Sequence, residues 1–136
     1  MDIVSYFKNV DAQKQINKLS KKYAGKKIII YGAGEYFKIL EKNYNLSQLN
    51  IVGICDNKFS TSKDLNVTNY AALTPEELKT FEYDVILVAL LRDISMCEHI
   101  ELEILLNTKN ENKIVQPIIE PNLKYLIKVL LGIINE

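Results

Sequence analysis

Residues that hold metals or form disulfides are scarce in this chain. It contains two cysteines and one histidine among 136 residues. Cys55 and Cys97 are far apart and neither belongs to a Cys-x-x-Cys pair, so the spacing indicates neither a metal site nor a redox motif. His99 has no serine or cysteine motif that it could serve. We therefore expect no metal, and reduced cysteines of the kind that the cytoplasm maintains.

An excess of charge of either sign and long apolar runs are also missing. Lysine plus arginine and aspartate plus glutamate number 17 each. Nucleic acids and anionic membranes usually bind a net basic surface or a concentrated basic patch. No window approaches the ~20 apolar residues of a membrane span, and the first residues lack the basic and apolar pattern of a signal peptide. We expect a cytoplasmic protein with no nucleic-acid partner and no membrane span.

The length and the composition predict one globular domain over residues 1–136. Apolar residues make up 48% of the chain, which is typical of a folded protein with a core. Apolar positions near a period of 3.6 predict a leading helix over 2–24, broken around Asp11, which packs on the sheet or serves as a linker or dimer helix. The predicted core covers 25–118, and a second helical pattern over 121–135 predicts a C-terminal helix.

Strand and helix patterns alternate through the core, which predicts an α/β fold with a parallel sheet. We expect a Rossmann-like, doubly wound sheet of about five strands in the order 3-2-1-4-5, with flanking N- and C-terminal helices. The segment from Thr74 has the signature of a helix start, with Glu77 placed for a capping box. The predicted strands are 27–31, 51–55, 67–69, 84–90 and 113–116, and the other core helices are 34–44 and 94–107.

A glycine turn follows the first strand, where Gly32-Ala33-Gly34 leads into a helical pattern. Gly32 would let the chain turn sharply, and Gly34 would let a ligand phosphate approach the backbone at the start of the helix. Position 37, where a full dinucleotide fingerprint has its third glycine, is a phenylalanine. A plain strand-to-helix turn is the alternative interpretation. The nucleotide-binding residues that the turn itself predicts are Gly32, Ala33 and Gly34.

Asp56 and Asn57 directly follow the second strand. A carboxylate at this place is suited to accept hydrogen bonds from the hydroxyls of a ribose, which favours NAD over NADP. The alternative is structural, because Asp-Asn is also favourable turn chemistry and Asp56 could cap the next turn. We predict Asp56 as part of the nucleotide site.

Leu90 and Arg92 lie at the end of the fourth predicted strand. Arg92 is the single arginine of the chain, and its guanidinium could meet a second phosphate or a sugar acid. The alternative is an exposed ion pair with Asp93 or Glu98. Because ligands of such sheets bind at the carboxyl ends of the strands, we predict that Leu90 and Arg92 complete the site.

Three segments, 27–35, 50–58 and 83–89, resemble Rossmann-like nucleotide- and nucleotide-sugar-binding domains of bacterial polysaccharide and glycan biosynthesis. Such domains accompany glycosyltransferases and sugar methyltransferases, and a similar one forms the N-terminal part of acetyltransferases that act on UDP-amino sugars. The resemblance implies a nucleotide pocket formed by Gly32 to Tyr36, which adds Glu35 and Tyr36 to the glycine turn, by Asp56 and Asn57, and by the end of the fourth strand. No hexapeptide repeats of a left-handed β-helix follow, so the acetyltransferase site itself is not expected.

Three functions stay open at this point. The first is a module that binds a nucleotide or nucleotide sugar, with NAD(P) or a UDP- or CMP-sugar as its ligand and no catalysis of its own. The second is an NAD-dependent oxidoreductase or epimerase-like enzyme that acts as an oligomer. The third is an interaction module with a degenerate pocket, whose contact face is the C-terminal helix. The protein partner would be a second copy of the chain in a homodimer, or a glycosyltransferase or other sugar-modifying enzyme.

Overall fold

A computed structural model describes residues 3–56, 70–90, 113–121 and 123–132. Its centre is a five-stranded, all-parallel sheet in the order β3-β2-β1-β4-β5, which confirms the predicted α/β fold and strand order. The strands are β1 (Ile28–Tyr31), β2 (Ile51–Cys55), β3 (Ala72–Leu73), β4 (Val85–Val88) and β5 (Ile114–Pro117).

The central strand β1 is buried on both of its faces. Ile28 and Ile30 belong to one apolar cluster, while Ile29 and Tyr31 belong to another. Successive side chains of a strand point to opposite faces, so the two clusters lie on opposite sides of the sheet. This is why the strand reads as a continuous apolar run, as expected for a parallel sheet that is covered on both faces.

Three helices cover the face of the first cluster: α1 (Ile3–Asn9), α2 (Ala12–Lys22) and α3 (Glu35–Asn43). The segment predicted as one leading helix is two helices that meet at Asp11, where the sequence pattern was broken. Asp11 has a φ of 54°, in the left-handed region, and this changes the direction of the chain.

Phe7 joins α1 to α3. Its side chain is fully buried, and its ring lies edge-on at 5.0 Å from the Tyr36 ring and at 6.0 Å from the Tyr44 ring, centroid to centroid. Edge-to-face pairs at these distances are favourable aromatic contacts. The N-terminal helices are therefore part of the core that supports the glycine turn.

The segment after β3 differs from the prediction. The helix predicted from Thr74 is only a single 3₁₀ turn, Glu77–Lys79. The capping box is confirmed: the Thr74 amide donates to the Glu77 carboxylate at 3.0 Å, and the Glu77 amide donates to the Thr74 hydroxyl at 3.2 Å. The cap sets the start of a helix, but the chain then turns toward β4 after three residues.

Other boundaries shifted by small amounts. β3 lies at Ala72–Leu73, where no strand was predicted, and β4 ends at Val88 and not at residue 90. The third strand predicted at 67–69 and the helix predicted at 94–107 lie outside the described residues.

The C-terminal helix, α4 (Leu123–Leu130), lies within the predicted range 121–135. Val129 packs against the first cluster. An apolar stripe remains exposed, with Leu130 at 84% and Leu131 at 69% of full exposure, and Leu126 and Ile127 about half exposed. Within the four described ranges, no helix has the length and apolar character needed to cross a membrane.

Candidate functional site

Gly32 makes the turn at the carboxyl end of β1. Its φ is +119°, and a Cβ built on it would lie 2.6 Å from the Ala89 carbonyl oxygen and 3.0 Å from Leu90 Cδ2. Contacts under 3 Å with backbone cannot be relieved by a side-chain movement, so only glycine fits here. The Gly32 amide donates to the Cys55 carbonyl at 2.8 Å, which fixes the turn to the end of β2.

The Asp56 carboxylate binds the backbone of Ala33, the residue after Gly32 in the turn. Its Oδ2 accepts a hydrogen bond from the Ala33 amide at 2.8 Å, and its own amide donates to the Leu73 carbonyl at 3.3 Å. The carboxylate thus connects the ends of β2 and β3 to the glycine turn. The backbone amide is a partner that neither interpretation of the sequence, a ribose acceptor or a cap for the following turn, had included.

Gly34 begins α3 and stands in open space. Its φ of −84° is ordinary, and a Cβ built on it would meet no atom within 4 Å. No side chain caps the helix, because the N-cap residue is this glycine. The first amides of an α-helix have no partner within the helix, and they form its positive end. The backbone at Gly34 is therefore open to an approaching anion.

Of the three residues after Gly34, the first is exposed to solvent and the other two are buried. Glu35 is exposed on the first turn of α3. Tyr36 is buried against Phe7, so its contribution to a ligand at the turn would come from the backbone. Phe37, at the third glycine position of the fingerprint, is buried, and its ring centroid lies 6.3 Å from that of Tyr70.

Two tyrosines near the turn, the partly buried Tyr70 and the buried Tyr83, have raised pKa values. Burial raises the pKa of the Tyr70 hydroxyl, and the Glu41 carboxylate, which accepts its hydrogen bond, raises it further. On the other face of the sheet, burial raises the pKa of Tyr83, and the neighbouring Cys55 adds to the rise. Both phenols are therefore neutral at physiological pH, and they serve the packing of α3 and β2.

The structure brings four of the predicted site residues together. Ala33 and Asp56 share a hydrogen bond, Gly32 is held by the carbonyl of Cys55, which precedes Asp56, and the Leu90 side chain lies beside Gly32. Asn57 and Arg92 lie outside the described residues. In the part of the chain that the structure describes, no group of three or more His, Cys, Asp or Glu side chains is placed to hold a metal ion.

The turn lies at the point where the strand order reverses, between β1 and β4. In open parallel sheets, ligands bind in the crevice at the carboxyl ends of the strands at this point. The fold and the turn together define a Rossmann-like α/β domain. The chain belongs to the C2185-like, N-terminal family, whose family model matches residues 24–115.

The matched range begins just before β1 and ends within β5, so it contains the glycine turn and Asp56 and leaves α1, α2 and α4 outside. No curated protein and no solved structure matches the chain.

Proposed function

We propose that this domain binds a nucleotide or a nucleotide sugar at the Gly32–Gly34 turn. The observation that carries the proposal is the open backbone at Gly34, at the uncapped N-terminus of α3 and at the switch point of the sheet. The amides and the positive helix end would hold the phosphates, and Arg92 and Asn57 would complete the pocket.

The proposed setting is the cytoplasmic stage of bacterial surface-glycan biosynthesis, with the domain acting as a binding module beside a glycosyltransferase or another sugar-modifying enzyme. The resemblance of segments 27–35, 50–58 and 83–89 to domains of that class supports it. A UDP- or CMP-sugar is the favoured ligand over NAD(P), because the resemblance is to domains of glycan biosynthesis and the third glycine of the dinucleotide fingerprint is replaced by the buried Phe37.

Calorimetric titration tests the proposal with UDP-glucose, a CMP-sugar, NAD and NADP as separate ligands. We expect a UDP- or CMP-sugar to bind with a Kd below about 1 mM. Gly34→Ala should weaken this binding at least about tenfold, because the new methyl group occupies the space through which a phosphate approaches the backbone.

The same variant serves as its own folding control, since Gly34 has an ordinary φ and free space around it. Its thermal midpoint should stay close to that of the wild type. Binding of NAD alone would favour the oxidoreductase interpretation, and no heat with any of the ligands at millimolar concentration would contradict a nucleotide site.

A second function, an interaction module, is favoured by the exposed stripe on α4, which is formed by Leu126, Ile127, Leu130 and Leu131. We propose that a second copy of this chain covers it. A wholly apolar stripe is complementary to itself across a two-fold axis. A helix of eight residues is also too short to be stable alone in water, where about 12–15 residues are needed, so further packing would stabilise it.

Light scattering on a gel-filtration column tests the dimer. The wild type should elute as a dimer, and Leu130→Glu should give a monomer, because a carboxylate would be buried in the interface. Val4→Glu is the matched control, since Val4 is also an exposed apolar residue but lies on α1. A monomeric wild type at about 100 μM, or equal effects of both variants, would contradict this contact.

A further inference from the structure

The carboxylate of Asp56 lies at the glycine turn, the segment to which the proposed function assigns the phosphates. It accepts the hydrogen bond of Ala33, the residue between the two glycines of the turn. Ala33 is only 2% exposed, so its amide could not exchange Asp56 for water if the carboxylate swung out toward a ribose. We therefore expect the carboxylate to stay at the turn when a ligand binds.

Two further hydrogen bonds fix Asp56 in this position. Its own amide is held by the Leu73 carbonyl of β3, and the preceding carbonyl, that of Cys55, accepts from Gly32. The parallel register places Tyr31 beside Cys55, so the residue after each strand comes to the same level of the sheet edge. These hydrogen bonds fix Asp56, at the end of β2, against the glycine turn.

We propose that Asp56 is a positioning residue of the glycine turn, and that its charge makes the site select sugar-capped diphosphates over free nucleoside diphosphates. This inference rests on the proposed function. A terminal phosphate carries roughly −1.5 to −2 charges at pH 7, whereas each phosphate of a nucleotide sugar is a diester with about −1. A fixed carboxylate repels the more highly charged group more strongly.

The exposed Glu35 adds a second negative charge to the first turn of α3. Its effect should be weaker, because solvent screens an exposed side chain far more than one that is bound to a buried amide. Glu35 is therefore a matched control for the negative charge of Asp56, because only the Asp56 carboxylate also accepts a hydrogen bond from the turn.

The test uses UDP and UDP-glucose as probes, with calorimetric Kd values and thermal midpoints for the wild type, Asp56→Asn, Asp56→Ala and Glu35→Gln. Asparagine keeps an acceptor oxygen for the Ala33 amide and removes the charge. We expect Asp56→Asn to keep the thermal midpoint, to bind UDP about fivefold more tightly and to bind UDP-glucose no more than about twofold more tightly.

The controls separate the charge from the hydrogen bond. Asp56→Ala should lower the thermal midpoint by about 4 °C, because the buried amide loses this acceptor. Glu35→Gln should change the UDP affinity by less than about twofold. An equal gain in UDP affinity from Glu35→Gln and from Asp56→Asn would overturn the assignment to Asp56.

A ribose ligand predicts the opposite sign. If Asp56 accepted ribose hydroxyls, Asp56→Asn would weaken both nucleotides, and that result would overturn this inference while leaving the proposed function intact. If neither the wild type nor Asp56→Asn binds either probe, the turn is not a phosphate site and the proposed function fails as well.

Discussion

Gly32→Ala should destabilise the domain by about 3 kcal/mol, a large part of the 5–15 kcal/mol that holds a typical domain folded. The φ of +119° is strained for any residue with a Cβ, and the added methyl would lie 2.6 Å from the Ala89 carbonyl oxygen. The turn would have to move away from β4, which would also strain its hydrogen bond to Cys55. Urea denaturation followed by circular dichroism measures the loss.

The neighbouring glycine provides the control for this measurement. Gly34→Ala has the same chemistry two residues later, at an ordinary φ and with no atom within 4 Å of the new methyl. It should cost only about 0.5 kcal/mol, the difference between glycine and alanine at a helix N-cap. Equal losses for the two variants would contradict the distinction between a glycine required by the fold and one that leaves room for a ligand.

Phe7→Ala should cost about 4 kcal/mol, the usual range for emptying a buried phenylalanine site being about 3–5 kcal/mol. The side chain is fully buried and its ring contacts Tyr36 and Tyr44 edge-on. Removing it leaves a cavity between α1 and α3, and α3 carries the amides of the proposed site. The free energy of unfolding from urea denaturation is the measurement.

Val4→Ala on the same helix is the matched control, since Val4 is 39% exposed. We expect it to cost less than about 0.5 kcal/mol. If Phe7→Ala were as mild, α1 would be a linker or a dimer helix, which was the alternative interpretation of the leading segment, and the packing described here would be wrong.

The sheet was predictable because parallel strands that are buried on both faces are written as short apolar runs. β1 and β4 are such runs, and β2 is one that contains Gly53, whereas the edge strand β5 is only partly buried. The helix of the first βα unit follows the glycine turn. β3 was not predictable, because a two-residue strand leaves no periodicity. The capping box at Thr74 was visible in the sequence, but the length of the turn that follows it depends on how soon the chain must enter β4.

The candidate site was predicted only as a set of strand ends. The contact of Asp56 with Ala33 depends on the register of β1 and β2, which sets residue 56 beside the turn. The sequence indicates this contact in part, because an acidic residue directly after β2, the strand beside β1, lies level with the glycine turn. That the carboxylate accepts from a backbone amide is visible only in the coordinates.

The most direct test of the account is an NMR titration of ¹⁵N-labelled protein with UDP-glucose. The account predicts shifts of amide signals that are largest at Gly34, Glu35 and Tyr36, with the amides of α2 unchanged, and saturation at low millimolar ligand. Gly34→Ala should reduce these shifts at equal ligand concentration. Shifts confined to other parts of the chain, or none at saturating ligand, would contradict a nucleotide site at the glycine turn.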